Sequence, residues 1–141
     1  VGLGVDGAAS QEAGRLVDEL RQAIYAARTR VDGDGLAGPR ALTVRQALWM
    51  ATMGGARCLG RAAEIGSLEV GKLADLALWR IDGLGHAGIA DPVAAPGLGS
   101  APPLELLTVG GRVVVEHDRL STVDEATVAD DLRRACAEVR G

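Results

Sequence analysis

The order of hydrophobic and polar positions along the chain predicts strand, helix, helix, strands, long loop, hairpin and helix. Val1 to Val5 alternates Gly with Val or Leu and stops at Asp6-Gly7, the pattern of a short buried strand emptying into a turn. Across residues 11–30, Leu16, Val17, Leu20, Ile24 and Ala27 keep a helical period and leave Arg15, Glu19 and Arg28 mostly outside. Ser10 is the candidate cap of that helix. Residues 32–39, rich in Asp, Gly and Pro, read as a loop. Thr43 followed by Gln46 makes a capping-box pattern, in which hydroxyl and amide satisfy two orphan N–H groups. The helix it opens carries Val44, Ala47, Leu48, Ala51 and Leu59 on one face. Gly54-Gly55 weakens this helix near its end, and two missing side chains let another backbone approach closely.

Further on, glycines punctuate the stretch from Ile65 to Trp79, and Leu73 to Trp79 reads as a mostly apolar, buried strand. Residues 83–103 are rich in Gly, Pro and Ala without periodicity and are expected to form a long loop. Leu106–Val109, Gly110-Gly111 and Arg112–Glu116 predict a β-hairpin, because Gly-Gly supplies the positive φ angles of a two-residue turn. Thr122 with Glu125 offers a second capping box, ahead of a final helix striped by Val128, Leu132, Ala135 and Val139. One strand and two helices do not complete a sheet. The first third therefore reads as the end of a larger α/β unit and the middle as part of a small β-domain. The chain opens on Val1, in the middle of a strand pattern and with no signal-peptide pattern, so sequence upstream is expected.

Composition narrows the core and the partners. There is no Phe and one Tyr, so a core must be built from Leu, Val, Ile and Ala. A net charge of −4 with no Lys/Arg cluster argues against nucleic acid or an acidic membrane surface as partner. No apolar run approaches the roughly 20 residues that span a bilayer. Cys58 and Cys136 lack a paired spacing and read as reduced thiols of a cytoplasmic protein.

Asp6 is the strongest chemical candidate. A carboxylate directly after an apolar strand is costly unless a metal, a cation or hydrogen bonds compensate it; the competing reading is an Asp that caps a turn. His117, beside Asp118 after a hairpin strand, reads as a solvated turn residue, and His86 as a structural or surface residue of the long loop. Lys72 and Asp75 belong to no phosphate-binding pattern. Trp49 and Trp79 read as core or inter-domain packing residues, and Glu64, Glu69 and Glu105 as solvated carboxylates.

Four phrases carry a family resemblance. Val1-Gly-Leu-Gly-Val-Asp6-Gly-Ala-Ala-Ser10 resembles the last barrel strand of the amidohydrolase superfamily, in the branch of cytosine, guanine and 8-oxoguanine deaminases and s-triazine hydrolases. The stretch from Ala47 to Gly60 resembles the family helix ending in T-x-x-G-A-x-x-L-G. Ile65 to Leu76 is similar to the I-G-S-L-E-x-G-K-x-A-D-L segment that enters the family's β-sandwich, and Val109 to Val114 to its late V-x-G-x-x-V hairpin. They occur in family order. His86-Ala-Gly with Asp91-Pro92-Val93-Ala94-Ala95 is most similar to the 8-oxoguanine deaminase group.

The resemblance implies an α/β protein: the carboxy-terminal end of a metal-dependent (β/α)8 barrel, part of the attached β-sandwich, and a final helix. Residues 1–63 would be the last barrel strand and following helices, 64–123 the sandwich part with the long loop, and 124–141 the carboxy-terminal helix. It further implies that Asp6 is a metal-binding and catalytic aspartate. In that chemistry a divalent ion, usually zinc, lowers the pKa of bound water, and the aspartate accepts the water's proton and helps pass it to the leaving amine. The substrate would be a heterocyclic base such as 8-oxoguanine, in purine catabolism, with ammonia released. The other metal ligands, including a His-x-His, are expected outside this chain, since a zinc site needs three or four. The chain alone is then expected to be inactive. Alternatives are an s-triazine amino- or chlorohydrolase and a non-catalytic truncated domain. Apolar helix faces lacking a barrel partner would promote a homo-oligomer.

Overall fold

The computed structural model describes residues 1–7, 10, 13–33 and 35–140. They form two units: residues 1–73 with 81–102, and residues 74–80 with 103–141.

In the first unit, α1 spans Leu16–Thr29 and buries Val17, Leu20 and Ile24, three members of the predicted stripe. Leu16 stays exposed. Ser10 does not cap this helix. Gly14, at φ +61, turns the chain between them, and the N-cap position is Arg15, with no side-chain cap bond. Gln11 and Glu12 lie outside the described residues. The expected loop after α1 contains a two-residue ladder, β1 (Val31–Asp32) against β2 (Gly35–Leu36), antiparallel.

The Thr43 capping box forms as expected: Gln46 N–H donates to Thr43 Oγ1 at 3.3 Å, and Thr43 N–H donates to Gln46 Oε1 at 2.9 Å. The helix is not uniform, however. α2 covers Val44–Trp49, a π-helical turn covers Met50–Gly54, and α3 covers Gly55–Cys58. Thr52 Oγ1 donates back to Leu48 O at 2.8 Å, a bond that commonly bends helices. A π-turn holds one residue more than an α-turn, so later side chains swing round by about 100°. Ala56 is buried as a result, and Leu59, expected on the apolar face, is exposed. A Schellman motif ends the helix: Gly60, at φ +70, donates to Arg57 O and Arg61 N–H donates to Ala56 O.

Leu20, Ile24, Val44 and Ala47 form the core of this unit, with Leu3, Leu42, Leu48 and Ala94 packed against it. The segment expected as a long loop is structured. It holds a 3-10 turn (Leu84–His86) and α4 (Ala95–Leu98), with Ala95, Pro96 and Gly97 buried. Its lack of periodicity has a steric origin. A Cβ on Gly97 would lie 2.8 Å from Val44 Cγ1 and 3.2 Å from Ile24 Cδ1, so glycine lets the turn lie flat on the core.

The second unit is a four-stranded antiparallel sheet in the order β3-β4-β5-β6: Leu76–Trp79, Leu104–Val109, Arg112–Glu116 and Arg119–Leu120. The Gly110-Gly111 turn forms as predicted, with φ +56 and +78. Leu73 to Trp79 was expected to be buried; Leu76 to Leu78 are exposed. They pair with β4 through one edge of their backbone, but burial of the side chains would need a layer over the sheet face. α5 runs from Glu125 to Arg140. Its cap is Asp124 rather than Thr122: Asp124 accepts from Ala126 N–H at 3.2 Å and Thr127 Oγ1 at 2.6 Å. Glu125 turns the other way, accepting from Leu120 N–H at 2.7 Å and pairing with Arg119 at 2.9 Å. Among the described residues no helix is long and apolar enough to cross a membrane.

Candidate functional site

Val1 to Asp6 forms no ladder with the other described residues, contrary to the expected strand. A strand exists only through a neighbour's N–H and C=O groups. The segment instead lies against the π-turn, with Leu3 N–H donating to Met50 O at 3.2 Å. Asp6 follows, exposed and at φ +59, a left-handed conformation that Asp tolerates better than most residues. Beyond it Ser10 N–H donates to Gly7 O at 2.9 Å. Asp6 is thus an exposed residue in a left-handed backbone conformation.

A divalent ion needs several donors, and Asp6 offers one carboxylate. Among the described residues no group of three or more His, Cys, Asp or Glu side chains is placed to hold a metal ion. These residues do not by themselves make a zinc site.

The other candidates resolve into structural roles. His86 is buried, with Nε2 at 2.9 Å from Ser100 O, and its ring packs where a Cβ on Gly99 would sit. Asp75 accepts from Gly110 N–H at 2.7 Å and so ties down the hairpin turn. Lys72 Nζ donates to Ala62 O at 2.8 Å and Ser67 Oγ at 2.6 Å and pairs with Glu69 at 3.2 Å, drawing the Gly66–Gly71 turn together. The Ser67 hydroxyl, and then Lys72, hold the Glu69 carboxyl below its ordinary value.

The three glutamates read as solvated all have partners. Glu64 pairs with Arg61 at 2.8 Å, and Glu69 with Lys72. Glu105 lies 2.8 Å from His117 Nδ1 and 3.6 Å from Arg80. Spacing in sequence conceals that last group, because antiparallel strands bring together residues far apart along the chain. Trp49 is not a core residue: it is half exposed, with the Arg57 guanidinium 5.3 Å from its ring centroid. Trp79 is half-buried opposite Leu104. Cys58 and Cys136 are free and exposed.

The chain belongs to the amidohydrolase family, whose profile matches residues 1–136. It is 39% identical over 137 residues to the 8-oxoguanine deaminase of Pseudomonas aeruginosa, covering 97% of this chain and 29% of that protein. It is 40% identical over 136 residues to a 5-methylthioadenosine/S-adenosylhomocysteine deaminase of Desulforudis audaxviator, covering 95% and 30%. Among solved structures it is similar to the atrazine chlorohydrolase of Arthrobacter aurescens TC1 complexed with zinc. There the TM-score is 0.81 and the identity 36%, over 93% of this chain and 28% of that one. An adenosine deaminase from Xanthomonas campestris with bound zinc aligns at TM-score 0.87 and 27% identity, over 99% and 31%. The chain thus spans less than a third of each of these relatives. A mixed α/β chain with a small antiparallel sheet, similar to amidohydrolase structures, is what the two units amount to.

Proposed function

We propose that this chain is the carboxy-terminal part of a hydrolytic aminohydrolase that removes an amino group from a heterocyclic base as ammonia, with 8-oxoguanine the leading substrate. The observation that carries the reading is the 39% identity to 8-oxoguanine deaminase over 97% of the chain. Residues 1–63 are then the end of a (β/α)8 barrel, 64–123 part of its β-sandwich, and 124–141 a closing helix. The intact protein would work in the cytoplasm, where exposed Cys58 and Cys136 stay reduced, and as a homo-oligomer.

In this reading Asp6 is a metal ligand and the acid–base residue. Its carboxylate takes a proton from the attacking water and returns it to the departing amine. The zinc in the related structures supports a divalent ion in the complete site. Its remaining donors are not among the described residues, so Asp6 is the one position assigned. The chain alone is then inactive.

The test is ammonia release by the intact protein on 8-oxoguanine, guanine, cytosine and triazines. Turnover of 8-oxoguanine is expected, falling on the order of 10²–10⁴-fold in Asp6→Ala. No ammonia from any base, or an Asp6→Ala variant as active as the parent, would remove the reading. The likeness to atrazine chlorohydrolase favours a second reading, a triazine hydrolase, which chloride release from a chlorotriazine would single out.

A further inference from the structure

The opening segment meets the π-turn and the start of α3 backbone on backbone. A Cβ on Gly54 would lie 2.4 Å from Val1 O and 3.1 Å from Trp49 O. From the opposite side, a Cβ on Gly2 would lie 2.9 Å from Gly55 Cα. Side-chain carbons do not approach backbone atoms so closely, so both positions require glycine or a displaced chain. One residue on, Leu3 N–H donates to Met50 O at 3.2 Å, the same carbonyl that receives Gly55 N–H across the π-turn. The Leu3 side chain packs against the core cluster of Leu20, Ile24, Val44 and Ala47. Asp6 follows three residues later.

Helix formation itself does not ask for these glycines, since glycine disfavours a helix relative to alanine. The neighbouring position supplies the contrast. A Cβ on Gly55 would meet only Met50 O, at 3.8 Å, an ordinary contact. Gly55 Cα also lies beside Gly2, but its own Cβ would point elsewhere, so on the helix the demand for glycine is confined to Gly54. The π-turn contributes by rotation: the residue it adds comes between Trp49 and the buried Gly54.

We infer that Gly2 and Gly54 are positioning residues, a backbone seat that sets the course of the Val1–Asp6 segment and thereby where the Asp6 carboxylate is presented. The catalytic consequence rests on the proposed role of Asp6; the seat does not. An alanine methyl at either position lifts the segment off the π-turn, lengthens the Leu3–Met50 hydrogen bond and displaces Asp6. A displacement of about 1 Å can cost on the order of 10²-fold in rate.

The experiment compares Gly54→Ala, Gly2→Ala and Gly55→Ala in the intact protein, by amide hydrogen exchange at Leu3 and by kcat and KM for ammonia release. In the first two variants, exchange at Leu3 is expected to quicken by about tenfold or more. Their kcat should fall on the order of 10²-fold while KM moves little. Gly55→Ala should keep parental exchange and kcat. If Gly54→Ala does not fold, Gly2→Ala, the milder intrusion, decides. Equal Leu3 exchange in all three variants overturns the seat. Quickened exchange with parental kcat, in a protein inactivated by Asp6→Ala, overturns its positioning role. A protein that releases no ammonia at all defeats the functional reading instead. The exchange measurement then still decides the seat: faster exchange supports it, unchanged exchange overturns it.

Discussion

The helices around Ile24 and the sheet around Leu78 are built from the same aliphatic residues, yet only the helices hide them. Ile24 is 0% exposed beneath α2 and the flat turn at Gly97, whereas Leu78 is 57% exposed in a correctly paired strand. The sheet is hydrogen-bonded from strand to strand: its strands pair in order, Gly110-Gly111 turns as the dipeptide requires, and Asp75 holds that turn. Val128 and Leu132 on α5 are exposed as well. A ladder satisfies backbone groups, but only a second layer removes side chains from water, and free energy follows the second.

The largest test of that contrast is a pair of truncations. Ile24→Ala is expected to cost about 2–5 kcal/mol, the range for a fully buried aliphatic side chain. Leu78→Ala should stay within about 0.5 kcal/mol, as for a surface position. Urea unfolding followed by circular dichroism measures both. Equal losses would mean that the sheet face is covered in solution.

A smaller effect sharpens the first region. Thr43→Ala removes the hydroxyl that accepts from Gln46 N–H and should lower stability by about 1 kcal/mol. Thr43→Asn should recover most of it, since Asn also caps. No loss in the alanine variant would show that packing on α1 holds the start of α2 without its cap.

The smallest expected effect lies in the second region. The Thr127 hydroxyl, and then Ala126 N–H, hold the Asp124 carboxyl below its ordinary value of 3.8. A depressed folded value means that the stabilisation is fully present above the unfolded value of about 3.8 and is lost as pH falls through the folded value. The helical circular dichroism of α5 should therefore decline as pH falls below about 3.8 and through the depressed folded value. Asp124→Asn, which caps without titrating, should flatten that decline. Identical titrations of parent and variant would remove Asp124 as the cap.

Much of this was legible in sequence because it is local. The Thr43-x-x-Gln46 box, the Val17–Leu20–Ile24 stripe and the Gly-Gly hairpin each depend on residues a few positions apart, within reach of spacing rules. The errors have one cause. Ser10 and Thr122 have capping chemistry, but Gly14 and Asp124 decide where the helices begin. The segment from Gly83 to Pro103 carries no period, and two of its glycines answer to residues far along the chain: Gly97 to Val44 and Ile24, and Gly99 to His86. Of the candidate site, the strand-like run and the family phrase single out Asp6 as a candidate, and spacing along the chain names no further metal donor.

The sequence alone determined what neighbouring residues decide between them: helix faces, caps, turn chemistry and the family phrases that identify an amidohydrolase. Only the tertiary structure decided that the helix after Thr43 contains a π-turn, that Gly2 and Gly54 meet, that His86 is buried, and that Glu105 gathers Arg80 and His117. The physical reason is range. Propensity and capping act across one turn of chain, whereas close approach and ion pairing depend on which distant segments share a place. Spacing along a single chain does not encode that.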